Sequence, residues 1–160
     1  MNAPAIRQAT PSDRTKIKEI IDLSFPRFFR FFATHRLNSD GKTLVAQTEG
    51  AVAGFAKLIT FHVGNNKYGC VLWLATHPDF RRKGFAAALV KAGTEYLKSD
   101  GAEAVFASVN RRNKASLAVF AKAGFRRMGF VGLWRLFGWR IFEFYSDIWF
   151  APTEVVLMQG

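Results

Sequence analysis

Arg81, Arg82, Lys83 and Gly84 make a basic turn between an apolar run, residues 71–76, and an alanine-rich segment that opens at Phe85. Strand, glycine turn and helix start, in that order, suit the holding of a phosphorylated ligand. The first N–H groups of a helix have no partner inside it, and the helix dipole favours negative charge there. Gly84 lets the backbone approach a ligand with no side chain between, and Ala86 keeps the next turn narrow. The bland reading, a solvated basic turn, leaves the flanking pattern unexplained.

A second group follows: Asn113, Ser116, Val119, Phe120, Lys122, Gly124 and Phe125. Together, Arg81-x-x-Gly84-x-Ala86 and the run at 113–125 resemble the coenzyme A motifs of the GNAT superfamily, which are acetyl-CoA-dependent N-acetyltransferases. The resemblance implies that the amides of Arg82, Lys83, Gly84, Phe85 and Ala86 hold the pyrophosphate, while Arg81, Arg82 and Lys83 add charge. It implies that the backbone of Leu74, Ala75 and Thr76 pairs with the pantetheine arm like an added strand. An N–H near Thr76 then faces the thioester oxygen and stabilises the oxyanion formed on attack. Asn113 reaches the arm from the other wall, with Ser116 and Phe120 in the same motif. Read by itself, Asn113 is a helix cap, and both roles can coexist.

One position departs from the family. Many members carry a tyrosine at Phe120, where it protonates the departing sulfur, and a phenyl ring cannot do so. A thiol of pKa about 8.5 leaves fairly well as thiolate, and general acid help is worth about 10²–10⁴-fold, so the loss slows transfer without abolishing it. Tyr145 is a substitute acid, or simply core. The attacking amine must first lose a proton, yet strand 68–76 holds no carboxylate. His62, Glu143 and Asp147, or ordered water, are the candidate bases. Against those roles, His62 also reads as a surface histidine, and Glu143 and Asp147 as partners of Arg140 or Arg135. His77 belongs to a His-Pro turn and reads as structural; Cys70, the only cysteine, reads as a small core residue, excluding an internal disulfide. No metal cluster is visible.

The elements that must position these residues follow from periodicity. Residues 6–9 read as a first strand, and Pro11-Ser12-Asp13 opens a helix carrying Ile17, Ile20, Ile21 and Phe25, ended by Pro26. Residues 27–37 read as a second helix; 43–48, 51–63 and 68–76 as strands joined by turns at Glu49-Gly50 and Gly64-Asn65-Asn66. A helix over 85–98 stops at Gly101, a strand spans 103–109, and a helix over 114–123 stops at Gly124. Residues 125–131 and 154–158 read as the last strands, with a helical or irregular segment between. The expectation is an α/β (α+β) fold, a mixed central sheet of six to seven strands with helices on both faces, which is also the family's fold.

At 160 residues, 49% of them hydrophobic, the chain suits one core, a single domain over 1–160. No apolar leader stands at the N-terminus and no run is long enough to span a membrane, so a cytoplasmic protein is the default. Formal charge is +11, and residues 111–140 hold eight Lys or Arg and no acid. Part of that field serves the phosphates of CoA; the rest suits an anionic partner, nucleic acid or a lipid surface, or is simply a solvated basic surface. Two aromatic clusters stand out, 25–32 and 130–150; the resemblance implies that these segments wall the acceptor groove, and an aromatic surface could instead be a homodimer face. Poor in carboxylates, such a groove suits a peptide terminus or an apolar or aromatic amine better than a polyamine. Three functions stand side by side: an N-acetyltransferase using acetyl-CoA on an amine acceptor, an acetyl-CoA-binding sensor or subunit, and a basic module for nucleic acid or membrane surfaces.

Overall fold

The computed structural model describes residues 4–37, 39–148 and 151–160; Phe150, the end of the second aromatic cluster, lies outside them. Seven strands form one sheet in the order β1-β2-β3-β4-β5-β7-β6. They are β1 Ala5–Gln8, β2 Lys42–Thr48, β3 Ala51–Val63, β4 Asn66–Thr76, β5 Val105–Asn110, β6 Arg126–Met128 and β7 Glu154–Gln159. The α-helices are α1 Arg14–Ser24, α2 Arg27–Arg36, α3 Phe85–Ser99, α4 Lys114–Lys122, α5 Phe130–Phe137 and α6 Ile141–Ile148. All strand pairs are antiparallel except β4 with β5. The mixed sheet expected from the sequence is therefore present.

Local chemistry explains the connections. Glu49 and Gly50 both have positive φ, 47° and 79°, which matches the tight mirror-image turns that twist correctly between hairpin strands. A parallel pair needs a crossover, and α3 supplies it between β4 and β5. Phe55 and Ala56 are neighbours on β3 and so face opposite sides of the sheet. Phe55 packs with Ile17, Ile20, Ile21 and Ala33 of α1 and α2, whereas Ala56 packs with Leu89, Val90 and Leu97 of α3. Ile59 and Phe61, on the side of Phe55, meet Leu133, Phe137, Ile141, Phe144 and Ile148 of α5 and α6. Helices thus cover both faces. α3 lies close to its face because two contact residues lack side chains: a Cβ on Gly93 would sit 2.9 Å from Leu58 Cδ2, and one on Gly69 2.9 Å from Leu97 Cβ.

One expectation is corrected. The strand read over 125–131 is only Arg126–Met128, because the chain turns helical at Phe130. Gly129, in extended backbone, is the N-cap of α5. The segment between the last two strands is helical, and its buried residues, 133, 137, 141, 144 and 148, recur every three to four positions.

Candidate functional site

β4 and β5 share only three paired positions, Gly69 with Val105, Cys70 with Phe106 and Val71 with Ala107. Beyond these both strands continue, each with its outer neighbour alone. Trp73, Leu74, Ala75 and Thr76 stay paired with Lys57, Ala56, Phe55 and Gly54 of β3, and Ser108, Val109 and Asn110 with Val156, Val155 and Glu154 of β7. A register shift between Lys57 and Leu58 leaves Leu72 as an extra residue, a bulge where the strands part. The result is a wedge with its apex at Val71 and Ala107 and its mouth at Thr76 and Asn110. Its two inner edges are rows of backbone N–H and C=O groups, which an extended polar chain can pair with as an added strand.

At the mouth, Thr76 leads through a 3-10 turn, Pro78–Phe80, to the basic turn and α3. Arg82 has φ 63° and Gly84, the N-cap of α3, has φ 85°. Ala88 N–H bonds to the Gly84 carbonyl at 3.0 Å, so the N–H groups just before it have no acceptor within the helix. A Cβ on Gly84 would meet nothing within 4 Å, so the space above it is open. Arg81, Arg82 and Lys83 are exposed, and Arg81 Nε approaches the Thr76 carbonyl at 3.4 Å. Free amides, a helix dipole and three cations thus meet in one exposed turn, with Phe85 buried behind it and Ala86 partly buried. His77 anchors the turn: its N–H donates to the Ala53 carbonyl at 2.8 Å, and its Nδ1 accepts from Asp79 N–H at 3.3 Å. That is the structural role its sequence context suggests.

The other wall is the start of α4. Asn113 Oδ1 accepts the Ser116 N–H at 3.0 Å, so Asn113 is the helix cap, three residues past the end of β5. Phe120 lies deeper, 2% exposed, in one cluster with Ala107, Val109 and Leu89, its ring 5.0 Å from Phe125 edge to face.

On the α1–α2 side of the sheet, Trp73 and Ala75 project beneath an aromatic roof, with Phe25 and Phe29 rings 5.3 and 6.3 Å from the Trp73 ring. Trp73 Nε1 and Thr76 Oγ1 are buried without a hydrogen-bond partner. Between α2 and α6 opens a cleft of about 230 Å³ lined by Arg36, Ser39, Asp40, Ile59, Ser146 and Asp147, among others. Burial, then the nearby Glu143, raises the Asp147 carboxyl above its ordinary range, and Arg36 opposes this. Beside the cleft, Lys57 is 1% exposed, its Nζ donating to the Ser39 carbonyl at 2.8 Å, and desolvation lowers its pKa.

The other sequence candidates separate. His62 is exposed near the β3–β4 hairpin, opposite Lys67 and eight residues along β3 from Gly54. It lies on the α3 side of the sheet, whereas its neighbour Phe61 lines the cleft between α2 and α6 on the other side, so His62 does not join the cleft residues. Glu143 is exposed on α6, while Tyr145 is half-buried on the cluster that also carries Leu72, its hydroxyl pKa raised by burial. Burial pushes the Cys70 thiol up to about 12, which removes it as an acyl carrier at neutral pH. Among the described residues no three His, Cys, Asp or Glu side chains gather as a metal site. Sequence reasoning missed Trp73 and the Arg36–Asp40 side of the cleft. A tryptophan in a strand was a visible signal; the approach of α2 to α6 was not.

The description "Acetyltransferase (GNAT) family" matches residues 7–125. No curated protein matches the chain in sequence. Among solved structures, a GNAT-family protein from Desulfovibrio desulfuricans superposes with TM-score 0.74 at 16% identity, covering 99% of both chains. The PaiA N-acetyltransferase of Thermoplasma acidophilum, solved with coenzyme A, gives 0.73 at 14% identity, again over 99% of each. The ribosomal-protein-S18-alanine N-acetyltransferase of Escherichia coli gives 0.67 at 18%, over 98% of this chain and 92% of that one. At such identities the likeness is one of fold. The family match spans most of the chain and includes the parted strands and the turn at 81–86; this protein belongs to the GNAT acetyltransferase family.

Proposed function

We propose that this protein transfers an acetyl group from acetyl-CoA to a primary amine within a ternary complex, acting as a single domain over residues 1–160. One observation carries the reading: the wedge between β4 and β5 opens onto the anion-binding turn at 82–86, so a phosphate-headed, amide-containing arm fits both at once. The pyrophosphate lies on the amides of Arg82, Lys83, Gly84, Phe85 and Ala86, with Arg81 supplying further charge. The arm pairs with Leu74, Ala75 and Thr76 and passes Asn113 and Ser116 on the opposite wall. Solved structures of the same fold that hold coenzyme A or acetyl-CoA support its use as the acyl donor.

The amine approaches from the α1–α2 side, under Trp73 and Phe25. Its nitrogen attacks the thioester carbon and the oxygen becomes an oxyanion, which an N–H of the 72–76 edge, as at Thr76, stabilises. Collapse breaks the C–S bond and releases CoA as thiolate, since Phe120 has no proton to give. Asp147, rather than exposed Glu143 or His62 on the other face of the sheet, takes the proton of the amine, directly or through water, because it lines the cleft and its raised pKa makes it a stronger base. Tyr145, half-buried on the cluster that also carries Leu72, is the remaining candidate for an acid. Two carboxylates and a guanidinium in the cleft suit one ammonium group, and the aromatic roof suits an apolar body. A peptide terminus or an aromatic amine therefore fits better than a polyamine. The orphan Trp73 Nε1 is a donor awaiting a carbonyl, which a peptide carries.

Thermal unfolding with acetyl-CoA, CoA and ATP tests the cofactor. A ligand at a hundred times its Kd adds about 2.7 kcal/mol, a shift of roughly 5–10 °C for a domain of this size. A shift with both CoA species and none with ATP supports the site and leads to an amine panel; no shift with acetyl-CoA overturns the reading.

A further inference from the structure

The proposed chemistry leaves one large feature unused. On the sheet face opposite α3, the outer surfaces of α5 and α6 expose Phe130, Val131, Leu136, Trp139 and Phe142, with Trp139 79% and Phe142 70% exposed. Phe130, Trp134 and Trp139 form a continuous aromatic row, with ring centroids 6.0 and 4.9 Å apart. α2, on the same face and across the cleft from α6, exposes Phe28 and Phe31 at 70% and 71%. Exposed aromatic surface of this extent marks an interaction site. Its charged neighbours are mostly guanidinium groups: Arg27 on α2, Arg135 on α5 and Arg140 in the turn to α6 are exposed, against Glu143 on α6 and Asp40 beside the cleft.

We propose that this face docks onto a lipid bilayer interface bearing anionic headgroups. Tryptophan and phenylalanine suit the boundary between headgroups and acyl chains, while arginine stems lie along apolar surface and keep their charge at phosphate level. The chain's net charge of +11 adds attraction toward an anionic leaflet. Two other occupants fit less well. A two-fold dimer through this face would bury the guanidinium groups of both copies with few acids to pair them. A nucleic acid would stack on the aromatic rings but gains nothing from Val131 and Leu136. Docking goes beyond the acetyl-transfer reading and does not rest on it.

Vesicle co-sedimentation of the whole protein tests the proposal. Binding is expected to phosphatidylcholine vesicles containing phosphatidylglycerol, weaker to phosphatidylcholine alone, and reduced by high salt, with a blue shift of indole emission. The double variant Trp139→Ser, Phe142→Ser is expected to lose at least about tenfold in partitioning. These side chains are exposed, so circular dichroism and unfolding temperature are expected to stay unchanged. Phe28→Ser with Phe31→Ser, on the other helix, provides a second independent loss. The proposal is overturned by no binding to anionic vesicles at low salt, or by binding that neither double variant changes. It is equally overturned if light scattering shows a dimer that the first double variant dissociates while vesicles are ignored, or if RNA binds through these residues and vesicles do not.

Discussion

Arg82 and Gly84, two residues apart, both hold left-handed backbone at the lip of α3, with φ 63° and 85°. Glycine adopts this freely, whereas for arginine it costs about 1–2 kcal/mol. On the proposed pyrophosphate site, such strain is a trade of stability for function. Arg82→Gly is therefore expected to raise the unfolding temperature by roughly 2–8 °C while weakening acetyl-CoA binding several-fold. A variant both more stable and equally tight would show that Arg82 contributes nothing to the ligand.

Gly84→Val separates fold from binding in the other direction. The open space above Gly84 accepts the side chain, so only the backbone penalty of about 1–2 kcal/mol falls on stability. The same side chain occupies the space where phosphate approaches the amides. Calorimetry should find acetyl-CoA affinity lower by tenfold or more in a folded protein, and unchanged affinity would move the pyrophosphate elsewhere.

Asp147→Asn tests the base. With its carboxyl raised, Asp147 is protonated, and useless as a base, at pH values where an ordinary aspartate of pKa about 3.9 is still ionised. The kcat/KM profile should fall on its acid side above that value. The variant should lose about 10²–10⁴-fold in kcat while keeping its thermal shift with acetyl-CoA. A loss below tenfold would assign the proton to water alone.

Phe120→Tyr restores the hydroxyl that the family motif usually carries. In the cluster around Phe120 and Phe125 that hydroxyl meets apolar groups, so the free protein should lose about 1–3 kcal/mol. Bound CoA supplies a sulfur for it to face. The thermal shift with CoA should then exceed that of the parent, and kcat should rise. An equal penalty with and without CoA would place position 120 away from the thiol.

Asp13 is the clearest acid-sensitive contact. Arg7 grips it through both oxygens, at 2.7 and 2.8 Å, and Thr10 N–H donates at 2.7 Å, which holds the carboxyl well below the usual range. The stabilisation is complete above an unfolded pKa of about 3.9 and fades as pH falls through the lower folded value. Asp13→Asn should cost roughly 1.5–3 kcal/mol at neutral pH, and the gap from the parent in thermal melts should close in strong acid.

Legibility in the sequence followed the range of the interactions. The turn at 81–86, the cap at Asn113 and the stop at Gly124 are local, and each is where its residue types place it. The strand misread over 125–131 failed for a local reason too: Phe130 and Val131 favour strands, but Gly129 before them starts the first of two helices whose shared stripe from Leu133 to Ile148 was readable. The parting of β4 from β5, the bulge at Leu72 and the approach of Asp147 to Arg36 depend on register and packing between distant segments. No short window contains them. Residues chosen by type alone accordingly scattered, His62 to the far end of β3 and Glu143 to the surface.

The narrow seam between β4 and β5 also bears on how the molecule comes apart. Among the described residues, three paired positions and the flanking bonds from Gly69 N–H to the Ala104 carbonyl and from Glu103 N–H to the Lys67 carbonyl join a four-stranded half, β1 to β4, to a three-stranded half, β5 to β7. Each half has its own ladder, so the seam is a place where the sheet can open locally. A molecule lying in the wedge, bonded to both inner edges, would stitch the halves together. Hydrogen exchange should then show two cooperative units without acetyl-CoA and one with it, the ligand acting as the strand that completes the fold.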